Sequence, residues 1–231
     1  MDAIPVVRSA ADREAIRQRF LLVDTSNVAD VLDTLGLFHQ GLSSVLSPYP
    51  ASCGKLAGWA YTIRGQMSPY ELGGDPDKMK ACAGVLAGDV TVWSGDGEGV
   101  CYFGELIAIG MKERGCVGSL VDGGIRDIRW IAEQDFPVFA RYRTPVQSIA
   151  RWKVNGWQTP VSIRGATSQW VKVRPGDFVL GDEDGVLVIP NEVLDTVLVE
   201  AERLTVQESS IRAELQQGLS LAEALAKYGH V

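Results

Sequence analysis

Between residues 88 and 143 the chain alternates short apolar runs with amphipathic ones: GDVTVWSG, YFGELIAIGMKERG, CVGSLVDGG, RDIRWIAEQ and FPVFARYR. A short run of apolar and β-branched residues bounded by glycine reads as a buried strand. A longer run with apolar residues every three or four positions reads as a helix. Strand, helix, strand, helix, strand in succession leaves few choices. Each helix carries the chain back across the sheet, so the strands run parallel and helices cover them. This stretch predicts an α/β protein.

The flanks fit the same class. SAADREAIRQRF reads as a helix capped by Ser9. DTSNVADVLDTLGL reads as a second, with Asp24 or Thr25 as cap and Val28, Val31, Leu32 and Leu35 on one face. KLAGWAYTIRGQ is strand-like, and DPDKMKACAGVLAG is a short helix from Pro76 that stops before Gly88. VSIRGATSQWVKVRPGDFVLGDEDGVLVIP holds three short strands separated by Pro-Gly-Asp and Asp-Glu-Asp-Gly turns. The acidic GDEDG loop is expected to be a hairpin turn rather than a metal site, because Asp-Gly is a strong turn signal. A long helix with Asn191 as cap closes the pattern. No repeat or linker divides residues 1–231, so one domain with a mixed sheet and helices at both ends is expected.

Composition excludes several functions. The net charge of -7 offers no basic excess to displace counterions, so nucleic acid is not an expected partner. No apolar run approaches the roughly 18 residues of a membrane span. The first twenty residues lack the apolar core of a secretion signal, which predicts a cytoplasmic protein. The four cysteines, Cys53, Cys82, Cys101 and Cys116, share no C-x-x-C spacing and are expected as reduced thiols. With only His39 and His230, H-E-x-x-H zinc sites are excluded, and no G-x-S-x-G elbow supports a serine triad. Asp, Glu, Arg, water or a hard metal ion must carry any chemistry. The six tryptophans, Trp93, Trp130, Trp152 and Trp157 among them, are expected in core or interface packing.

Ligands of parallel β-α units sit outside the C-terminal ends of the strands. Two such ends are SGDGEGVCYFGEL and DGGIRD. The first carries Gly95, Gly97 and Gly99, but Val100 breaks any G-x-G-x-x-G pattern and Asp96 and Glu98 oppose a phosphate. Its glycines suit close backbone approach instead. Gly104, Glu105 and Leu106 open the next helix, whose free N–H groups favour a small carboxylate. The second end supplies Arg126, a fork for a carboxylate, and Asp127, a hard oxygen ligand for Mg²⁺ or Mn²⁺. Together they suit a 2-oxo acid, with the metal on the keto oxygen and Arg126 on the carboxylate. Metal and arginine would stabilise an enolate formed beside that carbonyl, and Glu105 would hold the water that exchanges the proton. The competing reading is structural: Asp127 caps a helix and Arg126 is solvated.

The stretches GELIAIGMKERGCVGSLVDGGIRDI, FPVFARYRTP and RPGDFVLGDEDGVLVIP resemble the class II pyruvate aldolases related to the regulator of RNase E activity. Known enzymes of that family are 4-hydroxy-4-methyl-2-oxoglutarate / 4-carboxy-4-hydroxy-2-oxoadipate aldolases. The resemblance runs from about Gly88 to Pro190, and its most specific part is the Arg126–Asp127 pair with an acid, Glu105, 21 positions before the arginine. It implies an α-β-β-α sandwich with mixed sheets, of the swivelling β/β/α type. It also implies a homotrimer or hexamer with the active site between subunits. By the same resemblance Asp127 is the direct ligand of Mg²⁺ or Mn²⁺, and Arg126 binds the pyruvoyl carboxylate and steadies the enolate. Backbone N–H groups at Glu105 and Leu106 grip the substrate, and Glu105, where the family often has Asp, anchors metal-bound water. Acids from a neighbouring subunit are assigned to Asp33 and Glu202. The reaction implied is retro-aldol cleavage of a 4-hydroxy-2-oxo acid to pyruvate, with oxaloacetate decarboxylation as a side activity. Two alternatives stand beside it: a related hydratase or decarboxylase of a ring-cleavage product, and a non-catalytic regulator that binds a ribonuclease. GQMSPYELGGDPDKM departs from the family pattern and would reshape the pocket.

Overall fold

The computed structural model describes residues 8–95 and 97–229; Asp96 and His230, named above, lie outside them. The chain runs through α1 (Ala10–Phe20), α2 (Thr25–Thr34), β1 (Ser47–Tyr49), β2 (Leu56–Met67), α3 (Pro76–Ala83), β3 (Asp89–Gly95) and β4 (Cys101–Phe103). It continues through α4 (Glu105–Lys112), β5 (Gly118–Ile125), α5 (Ile128–Ala132), β6 (Val138–Arg143) and β7 (Trp152–Trp157). The remaining elements are β8 (Val161–Arg164), β9 (Trp170–Val173), β10 (Phe178–Asp182), β11 (Gly185–Ile189), α6 (Leu194–Gln216) and α7 (Leu221–Tyr228).

The parallel core is as the sequence predicts. β2, β3, β5 and β6 lie side by side and parallel. The full sheet order is β1-β6-β5-β3-β2-β10-β11, with β4 beside β5 and β7 beside β2, and β8 pairs with β9 separately. The antiparallel partners sit at both edges, which makes the sheet mixed.

Strand alternation sorts the side chains into layers. Val90, Val92 and Leu120 point to one side, where Ile163, Val171, Val179 and Val188 meet them in a β-on-β interior. Tyr61, Ile63, Trp93 and Val121 point to the other side, against Ala81, Ala108, Met111 and Ile131 of α3, α4 and α5. Trp59, Phe178 and Leu180 carry a third cluster under Phe20, Leu32, Val197 and Leu198 of α1, α2 and α6. Helices therefore flank two facing β layers, the α-β-β-α arrangement. Among the described residues, no helix is long and apolar enough to cross a membrane.

Several boundaries differ from expectation. Tyr102 and Phe103 belong to β4, not to the helix that follows; β4 pairs with β5 at Cys101–Gly124 and Phe103–Ile125. The Tyr102 ring is admitted by Gly97 and Gly123, where a Cβ would come within 2.2 Å and 2.1 Å of it. The segment 161–189 makes four strands, not three, because the chain turns back between Arg164 and Trp170 and β8 pairs antiparallel with β9; the expected GDEDG hairpin is present, with Asp182 and Gly185 paired across a two-residue turn. Asn191 does not cap the long helix. It opens a 3-10 turn, its side chain accepts from Arg8, and α6 starts at Leu194. Leu35 lies past the end of α2 and is exposed. Asp24 makes no cap bond. The buried Asp182 replaces it, accepting from the Thr25 N–H at 2.8 Å and from the Thr25 hydroxyl at 2.6 Å. The strands β1 and β7 and the helix α7 were not foreseen, although the Ser220–Glu223 capping box of α7 is a sequence signal.

Candidate functional site

Glycines shape the ends of the parallel strands. A Cβ on Gly95 would come within 2.8 Å of both the Gly65 carbonyl and Trp152 Nε1, and one on Gly124 within 2.5 Å of the Val100 carbonyl. Close packing requires glycine at Gly95, while Gly99 is required by its backbone, φ 74, with open space around it. The close approach at Gly124 lets β4 pair with β5, so the start of α4 meets the two residues that follow β5.

Those residues are Arg126 and Asp127. The Arg126 N–H donates to the Phe103 carbonyl at 3.1 Å, which ties the turn to β4. Asp127 then adopts the left-handed conformation, φ 61 and ψ 34, and its carbonyl accepts the first turn of α5 from the Ile131 N–H at 3.0 Å. A non-glycine residue there stores strain of roughly 1 kcal/mol, tolerated best by Asp and Asn. The strained turn swings the Asp127 carboxylate back over α4. Its Oδ2 accepts from the Glu105 N–H at 3.3 Å and lies 3.4 Å from Arg126 Nε. Gly104, the N-cap of α4, has no side chain to satisfy that helix, and Asp127 does so from outside. A Cβ on Gly104 would stand 2.7 Å from Asp127 Oδ2 and 3.3 Å from Arg126 Cγ, so the close approach requires glycine. Asp127 Oδ1 has no hydrogen-bond partner among the described residues.

Arg126 and Asp127 line a cavity of about 230 Å³ together with Gly104, Leu106 and Ile107 of the β4–α4 junction, Lys78 and Met79 of α3, and Gln147 and Ser148. They also line a more open hollow with Arg143, Thr144 and Pro145 on their other side. The first cavity is smaller than the roughly 300–1,000 Å³ typical of drug-sized ligands, which suits a small acid.

The expected residues do not all converge. Gly104, Leu106, Arg126 and Asp127 meet at the cavity. Glu105 reaches the pair through its N–H, while its half-buried side chain is not part of the lining. Asp33 is exposed on α2. Glu202 lies on α6, held by Arg19 in two bonds of 2.7 Å and 2.6 Å, and the guanidinium keeps its carboxyl below the usual range. Both belong to the helical layer over β10 and β11, so within one protomer neither lines this cavity. Among the described residues there is no cluster of three or more His, Cys, Asp or Glu able to cage a metal.

Two charged features were missed from sequence. One is Lys78, buried in the same cavity. Its signal was positional: Lys78, Ala81 and Cys82 form one stripe at i, i+3 and i+4, and all three are buried. The other is a charged cluster in a separate cavity lined by Arg64, Glu98, Asp122, Arg141 and Arg164. There Arg141 Nε stands 3.0 Å from the buried Asp122 Oδ1, but off-axis, so the contact is an ion pair without a hydrogen bond. Burial pushes the Asp122 carboxyl above the usual range, and Arg141 and Arg164 partly offset it.

Parallel strands opening on a small cavity with a fixed Arg–Asp pair define an α/β protein of the kind that places its ligand at the strand ends. The chain belongs to the Aldolase/RraA family: the RraA-like family model matches residues 25–188. A protein of Halalkalibacterium halodurans, provisionally named 4-hydroxy-4-methyl-2-oxoglutarate aldolase, is 31% identical over 196 residues, 84% of this chain and 85% of its own. Protein DlpA of Legionella pneumophila is 30% identical over 215 residues. That match takes in 91% of this chain but 33% of DlpA, so the chain spans about a third of that relative's length. Among solved structures, Streptomyces coelicolor RraAS2, described as an unusual member of the RNase ES inhibitor RraA protein family, has a TM-score of 0.74 at 23% identity. It covers 90% of this chain and 99% of its own, a likeness that bears on the fold alone.

Proposed function

We propose that the protein is a divalent-metal-dependent lyase that cleaves a 4-hydroxy-2-oxo acid to release pyruvate. The observation that carries this reading is Asp127, held in a strained turn beside Arg126 in the lining of the cavity, with one carboxylate oxygen unengaged among the described residues. The aldolase name given to the Halalkalibacterium halodurans relative supports it.

The donor set fits Mg²⁺ or Mn²⁺. A single exposed carboxylate suits an ion that keeps most of its waters, and does not suit one that needs a protein cage. Asp127 would hold the ion. When bound, it would supply Lewis-acid stabilisation of charge on the 2-oxo oxygen. The chain's own residues do the rest. Arg126 pairs with the C1 carboxylate in a forked contact. The Leu106 and Ile107 N–H groups, left free among the described residues at the start of α4 where Asp127 takes the Glu105 N–H alone, would face the same anion. The Glu105 N–H fixes Asp127, and its side chain holds the water that exchanges a proton with the C4 hydroxyl and C3. As the hydroxyl loses its proton, the C3–C4 bond breaks and its electron pair forms the pyruvate enolate. Arg126 steadies that charge until C3 is protonated. Oxaloacetate decarboxylation passes through the same enolate.

Leu106 is 77% exposed and Trp130 51%, apolar surface beside the site that a second copy would cover. A homotrimer or hexamer would bring Asp33 and Glu202 of a neighbour to the cavity.

The test is pyruvate release from oxaloacetate and from 4-hydroxy-4-methyl-2-oxoglutarate, with Mg²⁺, Mn²⁺ or chelator, in wild type and Asp127→Ala. Metal-dependent release lost in the variant is expected. A folded protein that releases pyruvate from neither substrate sinks the lyase reading and favours the protein-binding regulator.

A further inference from the structure

Lys78 is 8% exposed, and among the described residues its ammonium has a single hydrogen-bond acceptor, the Tyr102 carbonyl. No carboxylate of the described residues pairs with it. Asp75 is nearby, but its two oxygens accept the N–H groups of Lys78 at 3.1 Å and Val154 at 2.8 Å. The ammonium also stands 5.6 Å and 5.9 Å from the ring centroids of Trp93 and Trp152, a weak compensation for lost water. A buried cation with no carboxylate in direct contact is costly. Burial pulls this amine below the ordinary lysine range, against the opposing effects of Cys82, Cys101 and Asp75, and the Arg126 charge acts in the same direction as burial.

The position explains the cost. Lys78 and Arg126 line one cavity. They are anchored on successive carbonyls of β4: Lys78 on Tyr102, and the Arg126 N–H on Phe103 at 3.1 Å. The Lys78 ammonium thus sits at the end of β4 from which the Arg126 backbone is held, close enough for the Arg126 charge to act on it. A ligand gripped by Arg126 shares its cavity with Lys78.

We propose that Lys78 binds the distal carboxylate of a dicarboxylic 2-oxo acid whose first carboxylate lies on Arg126, and that it sets this site's preference for dianionic over monoanionic ligands. The chemistry rests on the lyase reading; the binding preference does not.

The test is calorimetric titration of the metal-loaded protein with 2-oxoglutarate and with pyruvate, in wild type, Lys78→Met and Lys78→Arg. Wild type is expected to bind 2-oxoglutarate more tightly. Lys78→Met is expected to weaken 2-oxoglutarate at least tenfold and leave pyruvate within twofold. Lys78→Arg is expected to restore part of the preference. Turnover gives the same split: KM rises more for oxaloacetate than for the monocarboxylate 4-hydroxy-2-oxopentanoate in Lys78→Met. Equal loss of both ligands, as a tie between α3 and β4 would give, overturns the proposal. So does a wild type that shows no preference for the dicarboxylate. If Lys78→Met unfolds, Lys78→Gln with the same two ligands decides by the same criterion. Dicarboxylate preference without pyruvate release from any substrate would overturn the lyase reading and leave the Lys78 subsite standing.

Discussion

Asp127 caps a helix to which it does not belong: its carboxylate accepts the Glu105 N–H of α4 at 3.3 Å, while its own backbone, at φ 61, starts α5. A residue whose only task was to begin α5 would not need a left-handed turn. The strain is the cost of aiming one carboxylate at both α4 and the cavity.

Substitutions at Asp127 should therefore separate stability from function. Glycine adopts positive φ freely and alanine does not. Asp127→Gly should be more stable than Asp127→Ala by about 1 kcal/mol in urea unfolding. Both should lack metal-dependent pyruvate release. Equal stability of the two would mean that the left-handed turn carries no strain.

Gly104→Ala tests the same junction from the other side. Gly104 is in extended backbone, φ -156, which alanine accepts, so the change is steric. The new Cβ would press on Asp127 Oδ2 at 2.7 Å and displace the pair. A shift of about 1 Å at a reacting group costs on the order of 100-fold in rate. We expect kcat/KM to fall at least tenfold while the far-ultraviolet dichroism is unchanged. Undiminished activity would place the chemistry elsewhere.

How much of this was legible in the sequence differs by residue. The parallel core was, because β3, β5 and β6 carry their burial in local composition. Arg126 and Asp127 were located by their place after β5. Neither the left-handed turn nor the Asp127–Glu105 bond could be read, since both follow from how β4 meets β5, a contact between residues 22 and 23 positions apart. Tyr102 was assigned to a helix because its pairing depends on the room left by Gly97 and Gly123. Lys78 was passed over because a lysine is ordinarily solvated, and only the packing of α3 on β7 and α4 buries it. Asp33 and Glu202 came from the family resemblance, and one protomer holds them on another layer.

The pH dependence of stability should show the cost of buried carboxylates. Asp89, 5% exposed, has its carboxyl raised mainly by burial, against the opposing effects of the Leu86 N–H and Arg13. A raised carboxyl favours the fold while protonated. That contribution is full below the unfolded value near 3.8 and is lost as pH rises through the higher folded value. Asp89→Asn cannot titrate. The stability of wild type relative to Asp89→Asn should therefore decline as pH rises above about 4, measured by urea unfolding at stepped pH. A constant difference would mean that Arg13 and the Leu86 N–H fully offset the burial of Asp89.

Metal should stabilise the folded chain through Asp127 whether or not a substrate has been found. A ligand that binds only the native state at one hundred times its Kd adds about 2.7 kcal/mol. For a chain of this length that is a rise of roughly 5–10 °C in melting temperature. Mg²⁺ or Mn²⁺ should produce that rise in wild type, chelator should reverse it, and Asp127→Asn should abolish it. Asn keeps an oxygen to accept the Glu105 N–H and tolerates positive φ, so its fold should be intact while the anionic ligand is gone. A rise of equal size in Asp127→Asn would move the metal to other residues, and the lyase mechanism would lose the group that orients it.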